Sequence, residues 1–259
     1  MPLILSENEG NLGIITLNDP DRCNCLSSPL IEELLAVLDR FEASGVWVVI
    51  LRAAAGSKVW CAGHDIKELP RPGRDPLPYA GSFEHLLHRI QDYPGPVIAM
   101  VEGTVWGGGC DLTLCCDILI GSDKVTFAMT PAKIGIPYNP SGMIHFINIL
   151  GLKKAREMFY TAEPITATDA HNCGLLNHLV PVTELESFTR DIAGKILRNA
   201  PLAIRALKEQ FRLLSKGHPI DAETFEKIQA IRRGVYDSAD YAEGIQAFLE
   251  KRKPFFCGK

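Results

Sequence analysis

Two short stretches set glycine beside an acidic residue directly after an extended apolar piece: CAGHDI at 61–66 and WGGGCD at 106–111. Three consecutive glycines lose much backbone entropy on folding, so something must require bare backbone there. A phosphate cradle, an oxyanion site and close helix–strand packing each have that requirement. If both loops end at one edge of a sheet, two backbone N–H groups aim at one spot. That meets the need of an oxyanion hole, which offers fixed donors to charge developing on a carbonyl oxygen. A helix starting near Gly108 adds its positive end. Spacing alone leaves the oxyanion and packing readings both open.

Other chemistries lack their residues. The chain has no GxxxxGK[ST] phosphate loop, no GxSxG nucleophile elbow and no HExxH zinc pair. WGGGCD is not GxGxxG, and no acidic residue follows a second strand about twenty residues on, as a dinucleotide site needs. HLLH places His85 and His88 on one helix face without further ligands, which reads as a solvated face. None of the eight cysteines forms a CxxC pair, and CNC at 23–25 lacks the second half of a metal site. They read as mostly buried, reduced thiols of a cytoplasmic protein, with no metal expected.

The elements that would position the two loops follow from periodicity. NLGIITLN (11–18), the fully apolar VWVVILRA (46–53), PVIAMVEG (96–103) and DILIGS (117–122) read as strands. SSPLIEELLAVLDRFEAS (27–44), with Ser27 or Ser28 as cap, EHLLHRIQDY (84–93) and GGGCDLTLCC (107–116) read as helices. Residues 71–82, rich in proline and glycine, are expected to form a mobile loop. Strand, strand and helix recur through the first 180 residues, the signature of a layered α/β fold. From about 184 onward four amphipathic helices follow without a strand. The expected division is a core at 1–183 and a helical region at 184–259, packed on its own core or on another subunit. With 259 residues, 46% of them hydrophobic and 22% charged, the chain can bury an ample core. Its net charge of −4 argues against nucleic acid as a partner. The first residues, MPLILSENEG, show no signal peptide, and no apolar run is long enough to span a bilayer.

Several motifs in order give the chain a wider likeness: NCLSS (24–28), AGHDI (62–66), PVIAMVEGTVWGGGCDL (96–112), CCDILIGSD (115–123) and the end FLEKRKPFF. Along nearly all its length it resembles the crotonase, or enoyl-CoA hydratase/isomerase, superfamily. The resemblance implies a spiral of ββα units with a helical C-terminal region, assembled as a homotrimer or homohexamer. It implies an acyl-CoA thioester substrate whose carbonyl oxygen sits between the N–H groups of His64 and Gly108. CoA enters as part of the substrate, and no separate cofactor, metal, nucleic acid or membrane partner is implied. The family's hydratases use two glutamates astride a water. Here the first position holds the shorter Asp111, and the second, in TPAKIGIPYN (130–139), holds Ala132. Water addition needs both an acid and a base.

The stretches SKVWCAGHDIKELP, GRDPL, VEGTVWGG, TFAMTP, GIPYN, RRGVYDSADY and FLEKRKP resemble more closely the decarboxylating branch of the family. That resemblance implies loss of CO2 from methylmalonyl-CoA to give propionyl-CoA, through an enolate held in the oxyanion hole. Decarboxylation needs an electron sink and no base. Tyr138 could hold the departing carboxylate by one neutral hydrogen bond, where a lysine would stabilise it in the ground state. Ile136 and Pro137 would keep the site dry. His64, Gly108 and Tyr138 are therefore the expected catalytic residues. Arg22, Cys25, Ala62, Gly63, Asp65, Ile66, Trp106, Thr130 and Lys251 are expected to line the CoA and acyl sites. Several have plainer alternatives: a solvated charge at Arg22, core filling at Trp106, a turn cap at Thr130, a charged tail at Lys251. Asp111 is either an acid/base group or an ordinary acid in the first helical turn, the second being favoured. The rival functions are a hydratase or isomerase acting through Asp111 and a non-catalytic acyl-CoA-binding protein.

Overall fold

Chain order builds the core as a spiral. The structure, a computed structural model, describes residues 1–70, 73–215 and 221–257. The first turn is a hairpin of β1 (Ile4–Glu9) and β2 (Leu12–Leu17) followed by α1 (Ser28–Ala43). Three ββα turns follow: β3 (Val48–Ala53), β4 (Val59–Cys61) and α2 (Ser82–Gln91); β5 (Val97–Val101), β6 (Thr104–Trp106) and α3 (Gly108–Leu114); β7 (Ile118–Ser122), β8 (Thr126–Ala128) and α4 (Pro140–Thr161). The short β9 (Ile165–Thr166), α5 (Ala167–Asn172) and β10 (His178–Val180) close the core. Four helices end the described chain: α6 (Leu185–Leu197), α7 (Pro201–Ser215), α8 (Ala222–Tyr236) and α9 (Ala239–Leu249).

In each of those three turns the first strand joins a six-stranded sheet, β1-β2-β3-β5-β7-β10, and the second joins a four-stranded sheet, β4-β6-β8-β9. Pairing is parallel except at the β1–β2 hairpin and at β8–β9. Parallel strands are covered on both faces, which is why β3 and β5 are apolar nearly end to end. On one face α1 presents Leu30, Leu34, Leu38 and Phe41, spaced by one turn. The other face, with Leu12, Val48, Ile50 and Ile98, is closed by Phe188, Ile192 and Ile196 of α6. The first C-terminal helix thus packs on its own sheet. The buried Trp60 joins the two sheets by donating from Nε1 to the Met100 carbonyl at 2.9 Å.

Two expectations need correction. Ser27 occupies the N-cap position of α1, but its side chain makes no capping bond and its buried Oγ has no partner. The cap comes from Glu68, whose carboxylate accepts from the Ser28 N–H at 2.9 Å and from the Ser28 hydroxyl at 2.7 Å. The stretch expected as a mobile loop is tied to a distant helix at Gly73 and Asp75, Arg71 and Pro72 lying outside the described residues. The Gly73 N–H donates to the Tyr236 carbonyl at 3.0 Å, and the Asp75 carboxylate receives both terminal nitrogens of Arg232 at 2.6 and 2.9 Å. These ties cross more than 150 residues, so local composition does not reveal them.

Among the described residues, no helix is long and apolar enough to cross a membrane.

Candidate active site

The spiral sets the ends of β4 and β6 side by side, because those strands are parallel neighbours in the smaller sheet. The loops leaving them therefore meet at one edge. A Cβ added to Gly63 would lie 2.6 Å from the Trp106 carbonyl oxygen and 2.9 Å from the Gly108 nitrogen. Gly63 also sits at φ +87°, a conformation side chains resist. A Cβ added to Gly108 would lie 3.3 Å from the His64 nitrogen. The two nitrogens thus flank one small space. Among the described residues, neither N–H has an acceptor within the chain. Their neighbours are engaged: Leu26 donates to the Gly63 carbonyl at 2.8 Å, and Gly107 donates to the Ala128 carbonyl at 2.9 Å.

Each glycine of the triplet has its own reason. Gly107 turns the chain into α3 at φ +51°. Gly108 leaves the His64 N–H uncovered. Gly109 packs against Cys61, whose carbonyl oxygen an added Cβ would approach to 2.9 Å. Close packing and donor exposure, alternatives at the level of sequence, are both present and belong to different glycines.

Asp111 lies one turn after Gly108 on α3, on the same face. It is completely buried. Its Oδ2 accepts from the Tyr138 hydroxyl at 2.8 Å, and its Oδ1 meets His145 Nδ1 at 2.7 Å. Asp111 is an acid in the first turn of α3, where the structural reading puts it, and it also anchors a buried cluster. Tyr138 is buried beside it, its proton already directed at Asp111. Burial, and next the adjoining Asp111 charge, push the Tyr138 hydroxyl well above the ordinary phenol range. Burial pulls the His145 imidazole down, but the hydrogen bond and charge of Asp111, with Glu84 adding, outweigh it and leave the net shift upward. Asn139 caps α4 through Gly142 and donates to the buried Glu84 at 2.9 Å, which fixes the start of the helix carrying His145.

The other expected residues divide. Thr130 does not cap the turn that follows it; its Oγ1 lies 3.5 Å from where a Gly107 side chain would begin. Trp106 is 43% exposed, so it does not fill the core. Arg22 pairs with Asp65 rather than standing as a free solvated charge. Asp65 also accepts from the Lys67 N–H at 3.1 Å, and Ile66 begins that short turn, half-buried. Burial pushes the Cys25 thiol up to about 11, with Asp65 adding to it, so it is inert near neutrality. The Ala62 N–H donates to the Cys23 carbonyl at 3.0 Å, tying the loop to the NCLSS segment. Lys251 lies exposed just beyond α9, at φ +56°. Ala132 is exposed on the 3₁₀ turn Pro131–Ile134 and brings no carboxylate. His85 is exposed and His88 stacks edge-on against Tyr79, as a helix-face reading requires.

Glu84, Gln91, Cys115 and His145 join the site without having been singled out from sequence. The signal for His145 was a lone histidine within the apolar run GMIHFI. Ligand atoms of Asp111, Cys115 and His145 lie within 4.8 Å of one another. Asp111 and His145 are bonded to each other, and the Cys115 sulfur lies 3.6 Å from His145 Nδ1. A cavity of about 850 Å³ opens on its far side, between α2, α4, α7 and α8. His145, Cys115 and Gln91 line it, whereas His64 and Gly108 do not. The acceptor-free N–H pair of His64 and Gly108 thus lies apart from this larger void.

Residues 7–259 match the family described as Enoyl-CoA hydratase/isomerase. The chain belongs to this family. It is 45% identical over 247 residues to the methylmalonyl-CoA decarboxylase of Escherichia coli (strain K12), covering 95% of each chain. It is also similar to a solved methylmalonyl-CoA decarboxylase in complex with 2-nitronate-propionyl-CoA: TM-score 0.97, 43% identity, 99% of each chain. A second solved structure of that enzyme, complexed with 2S-carboxypropyl-CoA, superposes with TM-score 0.97 at 43% identity over 100% of this chain and 99% of that one. The ββα spiral read from the sequence is the fold observed.

Proposed function

We propose that this family member decarboxylates methylmalonyl-CoA, yielding propionyl-CoA and CO2. The observation that carries the reading is the pair of acceptor-free N–H groups at His64 and Gly108, facing one space. The similar decarboxylases supply the acyl class. The thioester oxygen lies between the two donors. As the bond from Cα to the carboxylate breaks, its electron pair moves into the carbonyl, and the oxyanion is held by donors already aimed at it. In measured oxyanion holes one such donor contributes roughly 10²–10³ in rate. CO2 leaves, and Cα then takes one proton, so each turnover consumes one proton. The thioester is itself the electron sink, and the step draws on no further cofactor. His64 serves through its backbone, and Tyr138 borders the departing carboxylate with a hydroxyl kept neutral by its surroundings. Hydration fits less well: Ala132 offers no second carboxylate, and both oxygens of Asp111 are engaged.

The CoA portion is assigned to the surface formed by Arg22, Cys25, Ala62, Gly63, Asp65 and Ile66, and the acyl portion to Trp106 and Thr130. Lys251 is assigned to CoA, of its own subunit or a neighbour's. Assembly as a trimer or hexamer is supported by α7, which buries none of its residues and exposes Leu202, Leu207, Phe211 and Leu214. A cytoplasmic location is supported by eight free thiols.

The test presents methylmalonyl-CoA and crotonyl-CoA in parallel to the purified protein and follows products by mass spectrometry. Propionyl-CoA from the first with no hydration of the second is expected. Hydrated crotonyl-CoA with methylmalonyl-CoA untouched would overturn the assignment.

A further inference from the structure

His145 has no part in the chemistry above, yet it holds the second oxygen of the most buried carboxylate at the site. A fully buried carboxylate without a counter-charge is strongly unfavourable. Tyr138 alone supplies Asp111 with a neutral donor. The cationic partner within reach is His145, whose side chain is 17% exposed at the wall of the 850 Å³ cavity. Its Nε2 lies 3.0 Å from the Gln91 amide, which can turn its nitrogen or its oxygen to the ring and so serve either protonation state.

The proposed substrate carries a carboxylate that must bind and then leave, which sets a charge requirement. A lone positive charge beside it would stabilise the ground state and oppose departure. A lone negative charge would repel the substrate before it bound. A neutral hydroxyl backed by a compensated carboxylate does neither. Resting on the functional reading above, we propose that His145 is a positioning residue that pairs with Asp111, keeps Tyr138 turned toward that carboxylate, and so lets the acyl pocket accept a carboxylated acyl group.

The groups facing His145 fit this role. Asp111 and the Cys115 thiol face it from α3, and Glu84 and Gln91 from α2. Across the cavity the cations have their own partners: Lys208 pairs with Asp117, Arg212 with Glu209, and Arg232 with Asp75. None of these replaces His145 at Asp111. The imidazole is biased toward its charged form, so compensation is complete at mildly acid pH. It is lost as pH rises through the elevated value.

The experiment measures binding of two probes by calorimetry between pH 6 and 9. One is 2S-carboxypropyl-CoA, which carries the carboxylate; the other is propionyl-CoA, which does not. Both share the CoA moiety, so its own titration cancels in their ratio. At pH 6, His145→Asn should bind the carboxylated probe about tenfold more weakly than the parent, with propionyl-CoA within twofold. The parent's preference for the carboxylated probe should fall toward that of the variant as pH rises, while the variant's stays flat. The double variant Asp111→Asn, His145→Asn, which has no charge to compensate, should recover most of the lost affinity. Equal weakening for both probes would reduce His145 to a merely structural part and overturn the proposal, as would no weakening of either. If His145→Asn does not fold, the parent's pH series decides alone: a ratio constant from pH 6 to 9 overturns the proposal. A parent that binds neither probe would overturn the functional reading itself, an outcome distinct from a loss of discrimination.

Discussion

Gly108→Ala separates catalysis from stability at the donor pair. Gly108 is the first residue of α3, where alanine is favoured over glycine by about 0.5–1 kcal/mol. Against this, the new methyl would lie 3.1 Å from a Phe83 ring carbon and 3.3 Å from the His64 nitrogen. Those contacts are a few tenths of an ångström too close, so their cost is of the same order as the propensity gain. The net change in stability should be small, and at roughly 2–4 °C per kcal/mol for a chain of this size the melting temperature should move by no more than a few degrees. Catalysis should not be spared. The methyl fills the space beside the His64 N–H, so one oxyanion donor is screened. The expected fall in kcat is about 10²–10³, equivalent to roughly 2.7–4 kcal/mol of transition-state stabilisation. The assay is steady-state release of propionyl-CoA from methylmalonyl-CoA, with a thermal melt on the same preparation. A variant that melts with the parent and keeps kcat within threefold would show that the two N–H groups do not carry the developing charge.

Three further outcomes follow from the same contacts. Tyr138→Phe leaves the buried Asp111 Oδ2 without a donor and should destabilise the fold by about 1–3 kcal/mol in urea titrations, with kcat falling at least tenfold. Arg232→Met strands Asp75 and releases the 73–77 segment; because Asp75 is partly exposed, the loss should lie at the low end for broken buried pairs, about 3 kcal/mol, read by urea titration. The pH dependence of stability has a definite sign: His145 is raised above its ordinary 6.5 in the folded state, so its contribution is complete below that pH and is lost as pH climbs through the folded value. The parent's unfolding free energy should decline on the alkaline side of 6.5, and His145→Asn should remove that decline.

Much of the scaffold is legible in the sequence because its signals are local. VVIL in β3 and VIAMV in β5 are short, largely β-branched apolar runs of the kind that strands covered on both sides carry, and the turn-spaced leucines of α1 face one way. The four C-terminal helices stand close to where their periodicity puts them. The capping of α1 is not legible, because its donor is Glu68, forty residues on, and a serine at the right place looks sufficient. The loop at 73–81 fails for the same reason. Proline and glycine mark irregular backbone correctly, but whether irregular backbone is held depends on Arg232, supplied by a distant helix.

The site divides along the same line. The meeting of the two glycine loops was one of the arrangements that spacing left open, since each is a short motif after its own strand, and parallel pairing of β4 with β6 brings them together. The charge arrangement behind it was not. Asp111, at the start of α3, has the position of a helix acid, and only burial distinguishes an acid that favours the helix terminus from one that must be neutralised. Its two partners arrive 27 and 34 residues later, Tyr138 on a loop and His145 within α4. In sequence, His145 is an isolated polar residue among Met143, Ile144, Phe146 and Ile147, a pattern that does not name its partner. Folding converts it into an obligation, because a helix that buries Phe146 against the core carries its neighbour to the Asp111 carboxylate, where the imidazole must accept a charge or leave one uncompensated. The two glycine loops can therefore be traced to motifs, whereas the pairing of Asp111 with Tyr138 and His145 is decided by the packing of α4 on α3.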